Sequence, residues 1–65
     1  MLNMQEIEII KHIANGCTAK EIARLTGLEH RTIEFYLGKI KRKLNARNVA
    51  HAVYIAAQEA IIEKY

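Results

Sequence analysis

Ile33, Leu37, Ile40 and Leu44 recur at intervals of four, three and four residues, and no proline interrupts them. That rhythm draws one apolar line along a helix from about His30 to Leu44, whereas a strand would alternate every second residue. A helix with a single apolar line must lay it on other elements, and the other elements of this chain are helical too. A first helix is expected from about Asn3 to Asn15, with Ile7, Ile10, Ile13 and Ala14 as its buried stripe. Asn3 and Glu6 have the spacing of a capping box, and Asn15-Gly16 is a helix stop. A second runs from Ala19 to about Thr26, opened by the box Thr18–Glu21 and broken by Gly27; Ile22, Ala23 and Leu25 are its apolar residues. Asn45 is a left-handed stop for the third helix. A fourth is expected from about Val49 to Glu63, capped by Asn48. The expected fold is all-α: a compact four-helix bundle containing a helix-turn-helix, as one domain over residues 1–65.

Sixty-five residues hold one domain, close to the lower limit for a self-sufficient core. Apolar residues make up 51% of the chain, so it folds rather than remaining a disordered tail. A lone cysteine, Cys17, excludes an internal disulfide framework and a cysteine-rich zinc site, and reads as a small packing residue. No apolar run nears the roughly 20 residues a membrane span needs, and nothing reads as a signal peptide, so a cytoplasmic setting is expected, on the nucleoid when bound to DNA. His12, His30 and His51 are scattered over three segments without metal-ligand spacing. Glu6, Glu8 and Glu21 have structural explanations. Neither a cofactor nor catalysis is expected.

Charge is informative through its distribution. The net value is only +3, but residues 31–47 carry Arg31, Lys39, Lys41, Arg42, Lys43 and Arg47 against one acid, Glu34. The remaining residues are net acidic. A positive segment on a mildly negative body is the footprint of a polyanion binder, unless its lysines merely solvate a helix.

Residues 19–38 decide between those readings. Two helices joined by a glycine turn have helix-turn-helix spacing. Ala23 lies four before Gly27, where two helices cross closely. Gly27 supplies the positive φ of the turn. Ile33, six residues on, plugs the space between the helices, with Ile22 and Leu28 completing a small core. Opposite the apolar line of the third helix lie Arg31, Phe35, Gly38 and Arg42, with Glu34 and Lys41 on one flank and Thr32 and Lys39 on the other. Gly38 costs about 1 kcal/mol relative to alanine in a helix, which the close approach of DNA would justify. The major groove admits a helix, and Phe35 could meet a thymine methyl there. A glycine packed on another helix and a phenylalanine in a dimer contact are the alternatives. Phosphate contacts are expected from Lys20, Thr32, Lys39, Lys43 and Arg47, helped by the positive ends of the second and third helices.

The fourth helix carries two apolar faces. Val49, Ala52, Val53, Ala56 and Ala60 make one; Ala50, Tyr54, Ala57 and Ile61 make another about 100° away. So small a monomer can hardly bury both. The second face is the candidate dimer interface, with a broad core-facing helix as the alternative.

The run from Cys17 to Ala23, then Leu28 to Ile33, then Ile40 to Asn48 closely resembles the LuxR/FixJ-type (GerE-like) helix-turn-helix domain. So do the Glu6 and Glu8 pair, the Gly16 stop and the Lys43-Leu44 pair, and the resemblance extends from Leu2 to about Ala57. It implies a four-helix bacterial regulator domain that binds two-fold symmetric double-stranded DNA as a dimer paired through the fourth helix. It implies base reading at Glu34, Phe35 and Gly38. Phosphate contacts are implied at Lys20, Thr32, Lys43 and the Ile33 backbone. The chain departs from the family at Glu29, where Ser or Thr is common, at Glu34, where lysine is common, and at Tyr36, where histidine is common. Most members also carry an N-terminal sensing domain, so the chain reads either as a minimal regulator or as one domain of a larger parent.

The expected function is therefore sequence-specific DNA-binding transcription regulation, as a homodimer or as a heterodimer with a related regulator, with contact to RNA polymerase and no membrane partner. The competing reading is a protein-interaction module contacting RNA polymerase or another regulator.

Overall fold

The computed structural model describes residues 1–62, which form four helices: α1 (Met4–Ala14), α2 (Ala19–Thr26), α3 (His30–Leu44) and α4 (Val49–Gln58). No strand occurs among the described residues. The helix starts follow from capping chemistry. The Glu6 amide donates to the Asn3 side chain at 2.9 Å, and the Glu6 carboxylate accepts from the Asn3 amide at 2.8 Å. Thr18 and Glu21 repeat this at α2, with distances of 3.2 and 2.8 Å. Asn48 accepts from the His51 amide at 2.8 Å to open α4. Each such bond satisfies an amide that the helix itself leaves without a partner.

The stops are equally local. Beyond α1, Gly16 takes φ +91°. Its amide reaches the Ile13 carbonyl (2.9 Å), and the Cys17 amide reaches that of His12 (3.0 Å). Gly27 closes α2 at φ +76°, its amide held by the Ala23 carbonyl at 2.9 Å. Thr26 tightens the same turn. Its hydroxyl donates to the Ile22 carbonyl at 2.8 Å and accepts from the Leu28 amide at 3.3 Å. Asn45 ends α3 at φ 55°.

α3 is the hub, packing on α1, α2 and α4. Ile33, Leu37 and Ile40 are buried as the periodicity requires, and Ile33 meets a core that includes Ile9, Ile10, Ile22, Ala52 and Ala56. Leu44, the last member of the line, is half-buried. Leu25 is instead turned out of the core and exposed.

Two expectations are corrected. The buried residues of α1 are Glu6, Ile9 and Ile10, joined by Leu2 ahead of the helix, while Ile7, Ile13 and Ala14 are only partly covered. The shift arises because an acid, Glu6, occupies the middle of the apolar face. The second correction concerns α4, which ends at Gln58 rather than running to Glu63, a residue outside the described ones. Ala60 adopts φ 58°, the Ala60 amide bonds the Ala57 carbonyl (3.1 Å), and the Ile61 amide bonds that of Ala56 (2.8 Å). A left-handed non-glycine residue costs about 1–2 kcal/mol. The reversal turns Ile62 into the core, where it is 5% exposed. Burying an isoleucine is worth about 1.5–3 kcal/mol, enough to offset that strain. Ala60 therefore leaves the core face on which it was expected, and is exposed.

Candidate nucleic-acid interface

The side of α3 facing away from the core is a continuous exposed strip. Arg31, Phe35 and Arg42 are exposed on it and Gly38 lies between them. Phe35 keeps 59% of its surface in water, unusual for a large apolar side chain with a core nearby. Its ring is not loose. Tyr36 meets it edge-on at 5.8 Å, and the Lys39 ammonium sits 5.7 Å from its centroid. This cation–π contact places a positive charge beside the apolar ring.

The acids near the strip are paired at the surface. Glu34 lies 3.5 Å from His30, and Glu29 lies 3.6 Å from Arg31. All four side chains are at least half exposed. Such pairs are worth at most about 1 kcal/mol, so a ligand can replace either cheaply. Glu29 makes no side-chain capping bond at the start of α3, unlike the caps of the other three helices.

Basic and hydroxyl groups surround the strip. Lys20 is exposed in the first turn of α2, Thr32 is half-buried beside Phe35's helix face, and Arg47 is exposed just beyond α3. Gly38, Lys41, Arg42, Asn45, Ala46 and Arg47 line an open cleft of about 420 Å³. The Arg47 amide donates to His51 Nδ1 at 3.0 Å, which holds the α3–α4 connection and fixes a ring nitrogen of His51 as an acceptor.

Two expected phosphate groups are otherwise engaged. The Ile33 amide donates to the Glu29 carbonyl at 3.1 Å, so its N–H is already used within the helix turn. Lys43 donates to Glu6 Oε1 at 2.9 Å, joining the last turn of α3 to the first turn of α1. Glu6 is fully buried, and its other oxygen, Oε2, has no hydrogen-bond partner among the described residues. Burial pushes the Glu6 carboxyl up, but the Asn3 amide and the Lys43 ammonium outweigh that and bring it below its ordinary value. Glu21 is also lowered, chiefly by the Thr18 amide in its capping box.

The sequence reading did not find Glu6–Lys43, because nothing within helix spacing joins residues 37 apart in the chain. The Thr26 contacts carried a signal, a hydroxyl residue directly before a turn glycine. So did His51, three residues beyond the cap Asn48.

On α4, Ala50 and Tyr54 are exposed, Tyr54 at 61%, and Ala57 is half-buried. Ile61 does not extend that helical face as expected. It follows the Ala60 reversal and lies half-buried against the core, because the helix has already ended. Among the described residues no cluster of His, Cys, Asp or Glu could hold a metal ion.

Residues 1–56, which include all of this interface, match the family described as bacterial regulatory proteins, luxR family. The chain belongs to the luxR family. The transcriptional regulatory protein YdfI of Bacillus subtilis is 38% identical over 61 residues, covering 94% of this LuxR-type chain and 29% of YdfI. The transcriptional activator protein ExpR of Dickeya dadantii is 29% identical over 63 residues, covering 97% of this chain and 25% of ExpR. The transcriptional regulatory protein TdiR of Thauera aromatica is 32% identical over 53 residues, 82% of this chain and 23% of TdiR. The LuxR-type chain thus spans about a quarter of the length of these curated relatives. No helix among the described residues is long and apolar enough to cross a membrane.

Proposed function

We propose that this chain is a sequence-specific, double-stranded-DNA-binding transcription regulator that inserts α3 into the major groove and pairs with a second copy through α4. One observation carries the reading. Arg31, Phe35, Gly38 and Arg42 are presented to solvent on the side of α3 opposite the buried Ile33, Leu37 and Ile40. A helix so placed offers its outer strip to base edges and its flanks to phosphates. Glu34, Phe35, Arg31, Gly38 and Arg42 are the base-reading set, and Glu34 suits the N4 amine of cytosine. Lys20, Thr32, Lys39 and Arg47 are the phosphate set. Lys43 is secondary in it, since its ammonium is bound to Glu6. Dimerisation uses the exposed Ala50 and Tyr54 with the half-buried Ala57 beside them, while Ile61 lies beyond the end of α4.

The test is a duplex titration over a salt series, with selection of bound sequences from a random pool. Affinity of the wild type should fall linearly on a log–log plot, and Lys39→Ala and Arg47→Ala should each reduce the slope by about one. Phe35→Ala and Glu34→Ala should change the selected sequence. A flat salt dependence with no selected sequence would instead favour a protein-binding module. Tyr54→Glu should lower the sedimentation mass of the complex by one protein copy, and an unchanged mass would reject the α4 interface.

A further inference from the structure

Gly38 is the one feature of the outer strip that ordinary helix physics disfavours. Its backbone is not in the left-handed region, unlike Gly16 and Gly27, so no turn requires a glycine there. No helix presses on it either. Among the described residues, a Cβ built on Gly38 would meet a single group within 4 Å, the Nη1 atom of Arg42 at 3.7 Å. Side chains in a helix lean toward its N-terminus, which carries Arg42 back over the turn that contains Gly38. The bare backbone at Gly38 is thus a seat for the Arg42 guanidinium. Among the described residues Arg42 has no ion-pair partner to engage its donors.

We infer that Gly38 and Arg42 act together as a guanine-reading element, with Gly38 providing the recess from which the Arg42 fork addresses O6 and N7 of one guanine. The inference rests on α3 being the groove helix. Three features favour a base over a phosphate. The seat lies on the strip diametrically opposite the core, next to Phe35, which faces the groove floor when α3 enters it. Arg42's planar fork matches two adjacent acceptors on one base edge. The cleft around it already holds Lys41 and Arg47, which suffice for the flanking backbone.

The test is selection from a random duplex pool by the full chain, with a salt series, using wild type, Arg42→Lys, Arg42→Ala and Gly38→Leu, with folding checked by circular dichroism. Wild type should select a guanine at one fixed position of each half-site. Arg42→Lys keeps the charge but not the fork, so that guanine should be lost while the salt slope stays the same. Replacing the guanine in the selected site should weaken wild-type binding about 5- to 150-fold and Arg42→Lys binding hardly at all. Gly38→Leu fills the recess and should lose that guanine. An unchanged guanine in Arg42→Lys, or loss of affinity for all sequences alike with a shallower salt slope in Arg42→Ala, overturns the inference while leaving α3 as the groove helix. If wild type selects no sequence at all, the groove-helix reading fails and this inference falls with it.

Discussion

The turn between α2 and α3 and the turn that ends α4 both reverse the chain through a residue with positive φ, but they do so for opposite reasons. At Gly27 the residue type itself prefers the conformation, and the neighbouring Thr26 and Ala23 supply bonds that hold it. At Ala60 the residue type resists, and the reversal exists because Ile62 finds a place in the core. The first turn is dictated locally and the second by tertiary packing. The helix-turn-helix is therefore built from parts that define their own geometry, whereas the end of α4 takes its shape from the rest of the molecule.

The largest effect should come from removing what the local turn serves to place. Ile33→Ala empties a fully buried site where α3 meets the other helices, and should lower the unfolding free energy by about 2–5 kcal/mol in urea titration. An effect as small as that of an exposed-site change would deny Ile33 its role as the plug.

Next is the one charged link that no local signal encodes. Lys43→Met strands the buried Glu6 carboxylate and should cost about 3 kcal/mol, the lower end of the range for a broken buried pair, because Lys43 keeps a third of its side chain in water. Acid titration sharpens this. The Glu6 carboxyl lies below its ordinary value in the folded chain, so its contribution is present above the ordinary carboxylate range and is lost as pH falls through the folded value. Glu6→Gln should flatten that part of the stability–pH curve, and an unchanged curve would contradict the assignment.

The smallest effects test the two turns against each other. Gly27→Ala should destabilise by about 1–2 kcal/mol, since it forces a Cβ into the left-handed region. Ala60→Gly should stabilise by up to about 1 kcal/mol, the strain relieved less the added chain entropy. Thermal melts giving both changes the same sign would erase the distinction between the turns.

The same distinction governs how far the fold and the site were legible in the sequence. Helix starts at Asn3, Thr18 and Asn48 were readable because each cap and its partner lie within three residues. So were the stops at Gly16, Gly27 and Asn45, and the outer strip of α3, which follows once Ile33, Leu37 and Ile40 point inward. The early end of α4 was not readable, because Glu59, Ala60, Ile61 and Ile62 follow Gln58 with no proline or glycine to mark a stop. Glu6 was read as a cap only. Its place in the middle of the α1 core face becomes tolerable through Lys43, which the fold brings from the far end of α3. For the same reason Lys43 looked like one more free cation in a basic run. Gly38 was legible as an anomaly, but its relation to Arg42 required coordinates.

The central claim is that the outer strip of α3 is the surface that meets DNA. Amide chemical-shift mapping of the labelled chain during titration with its selected duplex tests it most directly. Perturbations concentrated at Arg31, Glu34, Phe35, Gly38 and Arg42, with the buried side of α3 and the Tyr54 face of α4 little affected by direct contact, are the expected result. Perturbations gathered on α1 or α4 with the α3 strip unmoved would contradict the account.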